Sequence, residues 1–185
     1  MFKYTVILLV FIFSGCVNRH LGYFEVVPYA TVKTNKIDQP LYVQFSSRVA
    51  DTFSIVEPGF KFSVQDLHRS LLFAAQRTYG DMFSDVKRFM PGDAGFILEI
   101  QRLESTWENH EVKKKVGNTY GEFNEIWCTI QYASTLYRNE LMVSQAVGSV
   151  VVKQDEMQGY HVDDLYKEAV KRAMANMAQT HFDKQ

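Results

Sequence analysis

The first sixteen residues constrain this chain more than any later feature, because they divide it into a segment that is removed and a segment that folds. Lys3 gives the start one positive charge, residues 5–13 are uncharged and almost entirely apolar, and two small residues and Cys16 follow directly. This arrangement is typical of an export signal. The apolar run is much shorter than the roughly 20 residues that a transmembrane helix needs to cross a bilayer. We therefore predict that residues 1–15 are a signal peptide.

The residues Phe13, Ser14, Gly15 and Cys16 resemble the lipobox of bacterial lipoproteins, with Phe13 in the position that usually holds Leu. In that family the cysteine receives diacylglycerol, the signal is cut before it, and the new amino terminus is acylated. The resemblance implies that Cys16 is the lipidation residue and that these covalent lipids are the only attached groups, with no other cofactor. Two or more acyl chains give stable anchoring. An ordinary secretory signal is the alternative interpretation.

Val17 follows the cysteine, and this resembles the sorting pattern of lipoproteins of the outer membrane. The resemblance implies a protein that is lipid-anchored in the outer membrane and faces the periplasm. Cleavage leaves residues 16–185, which is enough for one domain with a sizeable core. We interpret residues 16–40 as the lipidated N-terminus and a tether, with one early strand near residues 23–27, because sustained periodicity is missing there. Residues 41–185 are predicted to form a single domain.

The balance of charges excludes one class of partner. The chain has 20 basic and 21 acidic residues and a net charge of −1. Such a chain has no basic field, so we expect no nucleic-acid partner. Cys128 is the only cysteine besides Cys16. Its place in an apolar strand pattern is typical of a small buried hydrophobic residue.

The periodicity of the domain predicts a strand, a helix, three strands and a final helix. Strand patterns cover residues 41–45, 96–101, 126–133 and 141–151, and a hairpin turn is predicted at Arg138 and Asn139. The first helix is predicted to begin at Ser63 as N-cap, and the second near Asp163. Two helices on one face of a mainly antiparallel sheet of about four strands give an α+β fold, a two-layer sandwich.

Catalytic and metal-binding patterns are missing from the sequence. The five histidines are isolated from one another, and no pair has the spacing of a metal site. A nucleophile elbow and a phosphate-binding glycine loop are missing too. We therefore predict a protein that is not an enzyme and holds no metal. An envelope hydrolase whose site has no recognisable sequence pattern is an alternative.

The candidate interaction residues lie in or beside a polar segment, residues 108–121, that is predicted to form a loop between two strands. They are two aromatic residues and three lysines: Trp107, Lys113, Lys114, Lys115 and Tyr120. Lysines at a loop tip are usually only solvated. The sharper interpretation is a contact with anionic lipid headgroups, lipopolysaccharide phosphates or an acidic partner, because aromatic and basic residues together suit such interfaces. A second aromatic loop, residues 53–62, could fold onto the core or present apolar surface.

The element order and the lipobox together are similar to those of small envelope lipoproteins, which include the lipopolysaccharide-assembly lipoprotein LptE and the auxiliary lipoproteins of envelope ABC transporters. The resemblance covers about residues 41–182 and implies a role in binding, as an accessory subunit of an outer-membrane assembly, transport or secretion complex. Its partners would be the membrane and an envelope protein complex. A periplasmic carrier of lipid or another apolar ligand is an alternative. A cavity lined by Phe96, Ile130, Leu71 and Met174 would favour it, and a filled core would count against it.

Overall fold

The computed structural model describes residues 17–26, 36–57, 60–117, 119–155 and 161–182. Cys16 and the predicted signal peptide lie outside these residues. The described residues form eight strands and two helices, in this order: β1 (Val17–Leu21), β2 (Leu41–Phe45), β3 (Phe53–Glu57), β4 (Phe60–Val64), α1 (Leu67–Tyr79), β5 (Val86–Arg88), β6 (Phe96–Val116), β7 (Thr119–Arg138), β8 (Leu141–Asp155) and α2 (Val162–Phe182).

The strands form two sheets, and the α+β class is confirmed. The large sheet has the order β5-β2-β6-β7-β8, and the small sheet has the order β1-β4-β3. The prediction of one sheet with about four antiparallel strands is wrong. β2 pairs in parallel with both β5 and β6, because the chain crosses over through α1 before it returns to the sheet. β5 has only three residues, too few to give a periodic pattern.

The first helix begins later than the sequence predicts. Ser63 belongs to β4, and α1 starts at Leu67. The residue before it, Asp66, has a φ of 55° and makes no side-chain cap. The Asp51 carboxylate supplies the cap instead and accepts a hydrogen bond of 2.7 Å from the backbone N–H of His68. A partner 17 residues away satisfies a free donor of the helix end, which a local capping pattern could not predict.

Both predicted loops are strands. The residues of β3 and β4 pair antiparallel across the segment predicted as an aromatic loop, and the core takes up Phe62 and Val64. The polar segment between the second and third predicted strands continues the β6–β7 ladder as far as the pair Val116–Thr119. Alternation of side chains between two faces continues there, but polar residues occupy both faces. The sequence pattern therefore resembled that of a loop.

The tight turn between β7 and β8 lies one residue further along than predicted. Asn139 and Glu140 have φ values of 49° and 66°. Two successive residues with positive φ match the turn whose twist suits a two-residue hairpin. The final helix begins at Val162, close to the predicted Asp163.

The core lies on one face of the large sheet. α1 and α2 pack against that face, and the small sheet covers it further along β6, where Phe62 contacts Trp107. Tyr166 of α2 has ring contacts with Phe24, Phe53 and Phe62, so it joins the helix layer to the small sheet. Part of the segment predicted as a tether belongs to this fold. β1 pairs with β4, and Leu21, Phe24 and Val26 are buried.

Candidate interaction surfaces

The end of the β6–β7 hairpin projects beyond the rest of the large sheet. β8 pairs with β7 only as far as the pair Glu125–Asp155. Residues 111–116 and 119–124 form six further pairs, and no third strand of the described residues joins them. We call these residues the hairpin arm. At about 3.3 Å per residue, the arm is about 20 Å long.

Ion pairs neutralise much of the predicted basic run. Lys113 lies 3.2 Å from Glu122 across the arm. The side chain of Lys114 extends back to the base of the arm, where its ammonium lies 2.7 Å from Glu125 and 2.8 Å from Asp155, both on other strands. The hydrogen bond to Asp155, followed by that to Glu125, raises the pKa of Lys114. The hydrogen bond from Lys114 lowers the pKa of Glu125 in return. This cluster links β6, β7 and β8.

The structure brings four of the five predicted interaction residues together on the arm. Tyr120 is 75% exposed and lies opposite Lys115, which is also exposed. Trp107 lies elsewhere. It is only 7% exposed, and its ring is 5.5 Å from that of Phe62. Trp107 is therefore part of the core, and Tyr120 with the lysines forms the accessible set.

An aromatic and cationic cluster lies at the base of the arm, on the face of the sheet that neither α1 nor α2 covers. The Lys153 ammonium stands 3.6 Å from the centre of the Trp127 ring, and the His110 ring lies tilted by 31° to the same ring, with the ring centres 3.9 Å apart. Trp127 donates a hydrogen bond of 2.9 Å to Glu125. Such cation–π contacts fix the side chains in place.

The open face of the sheet carries exposed apolar residues along its edge strand. β8 is the outermost strand of the large sheet and has fifteen residues. Its exposed large apolar residues are Leu141, Met142, Val143, Val147 and Val151. Long edges with exposed apolar side chains are templates for association with another protein. Sequence analysis predicted the strand but missed the surface, although apolar residues on both faces of a strand were a visible signal.

The register of the small sheet places the start of β1 at one end of the molecule. β1 and β4 run in parallel, so Val17 lies opposite Phe60 and Leu21 opposite Val64. After Val64, the chain continues into α1. Val17 therefore lies at the end of the small sheet that is remote from α1.

That remote end points toward the hairpin arm. Phe53, at the α1 end of the small sheet, lines a groove together with Leu103 of β6. Phe62 lies two residues before the end of β4 and contacts Trp107. Trp107 is four residues nearer the arm on β6 than Leu103 is. The small sheet therefore runs along β6 toward the arm from its α1 end to the end that holds Val17. Val17, and with it the point where the chain leaves toward Cys16, lies on the arm side.

A buried polar cluster holds the C-terminal end of α2. Nε2 of His181 lies 2.9 Å from the Ser134 hydroxyl, and Nδ1 lies 2.7 Å from that of Ser144. Burial lowers the pKa of His181 to about 4, so the ring is neutral at physiological pH. One ring nitrogen then donates to a serine, and the other accepts. Ser134 is fully buried, which suits a structural bond between helix and sheet.

Within the described residues, neither helix is long and apolar enough to span a membrane. No group of three potential metal ligands occurs in this part of the chain. A surface groove of about 430 Å³ in these residues is lined by Ser46, Arg48, Gln101, Arg102, Glu104 and Ala133. The four residues named for a carrier cavity, Phe96, Ile130, Leu71 and Met174, are buried in the core cluster.

Comparison with known proteins identifies a shared fold. No protein-family model matches the chain, and no curated protein matches it. A Xanthomonas campestris protein described as DUF330 is 15% identical, with a TM-score of 0.54, and the match covers 86% of this chain and 92% of that one. This likeness shows that the two chains share a fold.

Two solved lipoproteins are similar in outline only. Rare lipoprotein B of Shewanella oneidensis is 12% identical, with a TM-score of 0.43, and the match covers 79% of this chain and 96% of that one. A minor lipoprotein of Acinetobacter baumannii is 8% identical, with a TM-score of 0.42, and the match covers 80% of this chain and 95% of that one.

Proposed function

We propose that this chain is a lipid-anchored, non-enzymatic subunit that supports an assembly, transport or secretion complex at the periplasmic face of the outer membrane. The observation that carries the proposal is the apolar edge strand β8, where Val147 is 69% exposed on an open sheet face. No other described strand pairs with the outer edge of β8, and apolar residues along such an edge give a partner both backbone hydrogen bonds and side-chain contacts. The lipobox at Cys16 supplies the location.

The packing of the core counts against the carrier alternative. The residues that would line a ligand cavity between sheet and helices are in the core cluster, and Ile130 and Leu71 are fully buried. A carrier would need a concave apolar site of several hundred Å³. The grooves characterised in the described residues are open at the surface, and each has charged side chains in its lining beside apolar residues such as Phe53, Ile97 and Phe96.

The hydrolase alternative gains little from the His181 cluster. A nucleophile and a base at hydrogen-bond distance are the minimum for covalent catalysis, and a third group must orient the base. Both ring nitrogens of His181 lie at hydrogen-bond distance from serine hydroxyls. In the described residues, no carboxylate forms a hydrogen bond or an ion pair with His181 that would orient the ring. The arrangement suits packing, and we propose no reaction for it.

The test is a photo-crosslinking experiment with a C-terminally tagged full-length chain. A photoreactive amino acid replaces Val147 on β8, and a matched control replaces Gln179, which is exposed on α2. We expect crosslinks from position 147 to one β-barrel, transporter or secretion component, identified by mass spectrometry. Position 179 should give none, and Cys16→Ala should abolish the crosslink. Recovery of lipid alone, with no protein at comparable amounts, would overturn the proposal.

A further inference from the structure

We propose that the hairpin arm docks on the headgroup layer of the membrane that holds the lipid anchor, with Lys115 and Tyr120 at the contact. The inference rests on the proposed function only through lipidation of Cys16. It assigns a membrane-facing end to the domain and leaves the β8 edge free for a protein partner.

The predicted lipidation residue lies directly next to the first strand in the sequence. Cys16 precedes Val17 directly, and Val17 is already paired with Phe60 in β1. One residue spans at most about 3.6 Å. A lipidated Cys16 therefore holds this end of the small sheet against the membrane surface, with no tether between them.

The arm extends further beyond the contact between Phe62 and Trp107 than the anchored end of the small sheet does. Val116 lies nine residues beyond Trp107 on β6, a distance of about 30 Å at 3.3 Å per residue. Phe60 lies two residues beyond Phe62, which contacts Trp107, and this distance is about 7 Å. The arm therefore extends about 20 Å further than the anchored end. An angle between the small sheet and β6 only increases the difference.

An arm of this length reaches the lipid surface whenever the arm side of the domain faces the membrane. The polar interface of a bilayer adds only about 5–8 Å to the hydrocarbon core on each side. A domain held at Cys16 can tilt until the arm lies along the surface, or it can direct the tip into the headgroups. Both orientations bring the arm into contact with headgroups.

The side chains of the tip suit that layer. Tyr120 is 75% exposed, and tyrosine is enriched where membranes meet water. In the described part of the chain, ion pairs involve Lys113 and Lys114 but not Lys115, so Lys115 can meet an anionic headgroup. Among the described strands, none pairs with the outer edges of the arm, and hydrocarbon does not tolerate open strand edges. The arm therefore stays in the hydrated headgroup layer.

The test uses the full chain, lipidated and reconstituted in vesicles of phosphatidylethanolamine and phosphatidylglycerol. A polarity-sensitive fluorophore is attached at Tyr120→Cys or, as the control, at Val147→Cys. Cys128 does not compete, because it is buried and burial raises its pKa to about 12. We expect a blue shift at position 120 and quenching by lipids that carry a spin label on the headgroup, with little quenching by mid-chain labels. Position 147 should show neither effect, and Lys115→Glu should reduce the quenching at position 120.

Each contrary outcome has its own meaning. If the lipidated protein floats with vesicles but position 120 is neither shifted nor quenched, the inference is wrong and the proposed function stands. A blue shift at position 120 in native envelopes without quenching in vesicles would assign the arm to a protein partner, and would also overturn the inference. If wild type and Cys16→Ala both fail to float, the anchor is absent and both proposals are wrong.

Discussion

The two halves of the β6–β7 hairpin share one antiparallel ladder, and they differ in what covers them. In the half that begins at Phe96, the helices and the small sheet cover one face, and Leu98, Ile100 and Ile130 are fully buried there. In the arm, the same face carries Lys113, Glu122 and Tyr120. The ladder is continuous apart from one irregularity near Ile100. The comparison shows that strand pairing can continue well beyond the apolar core that stabilises it, as a projecting ribbon.

A large-to-small substitution in each half tests the comparison most strongly. Ile130→Ala removes a fully buried side chain beneath the helices, and we expect a loss of about 2–5 kcal/mol in the free energy of unfolding. Val112→Ala on the arm should cost less than about 0.5 kcal/mol. Urea denaturation measures both values. Equal losses would mean that the arm is part of the cooperative core.

The second prediction concerns pH and the buried His181. Burial lowers its pKa from 6.5 to about 4, so between these values the unfolded chain takes up a proton that the folded chain excludes. Stability should therefore fall by about 1.4 kcal/mol per pH unit from pH 6.5 down to 4, and this contribution should be constant above 6.5.

Urea denaturation at several pH values measures this slope. His181→Gln should flatten it. A slope that survives His181→Gln would assign the acid sensitivity to other groups.

A pair of glycines offers a matched test at intermediate size. A Cβ at Gly148 would lie 2.5 Å from the Tyr132 hydroxyl, and Tyr132 is held in the core. Gly148→Ala should therefore cost about 1–3 kcal/mol. A Cβ at Gly121 on the arm would lie 2.8 Å from the Phe123 ring, but that ring can move into solvent. Gly121→Ala should change stability by less than about 0.5 kcal/mol. Thermal unfolding of both variants tests this, and a reversed order would contradict it.

The smallest effect is expected at the base of the arm. Lys114→Ala removes the ion pairs with Glu125 and Asp155, and should speed amide exchange in residues 111–124 with little change in melting temperature. Lys113→Ala removes one exposed pair and should have a weaker effect. Hydrogen exchange with mass spectrometry resolves the arm from the rest of the chain. If both variants exchange like the wild type, Lys114 does not hold the arm in place.

Sequence alone predicted the elements whose apolar residues repeat regularly. The predictions of β2, of the main part of β6–β8 and of α2 are confirmed. One face of each element is buried, and this burial gives the sequence its regular apolar pattern. The arm was missed because a ribbon with polar residues on both faces has no hydrophobic period. The small sheet was missed because its strands are short and its partners are distant in sequence. Burial of Trp107 could not be anticipated either, because the residue that covers it, Phe62, is distant in sequence.

The parallel pairing of β1 has a mechanical consequence. A chain held at Cys16 transmits any tension to Val17, along the axis of a strand that lies beside β4 over five residue pairs. Force in that direction loads these hydrogen bonds together in shear, whereas force across a hairpin would open its bonds one after another. If Cys16 carries the proposed lipid anchor, the first strand is therefore oriented to resist force between the membrane and the domain.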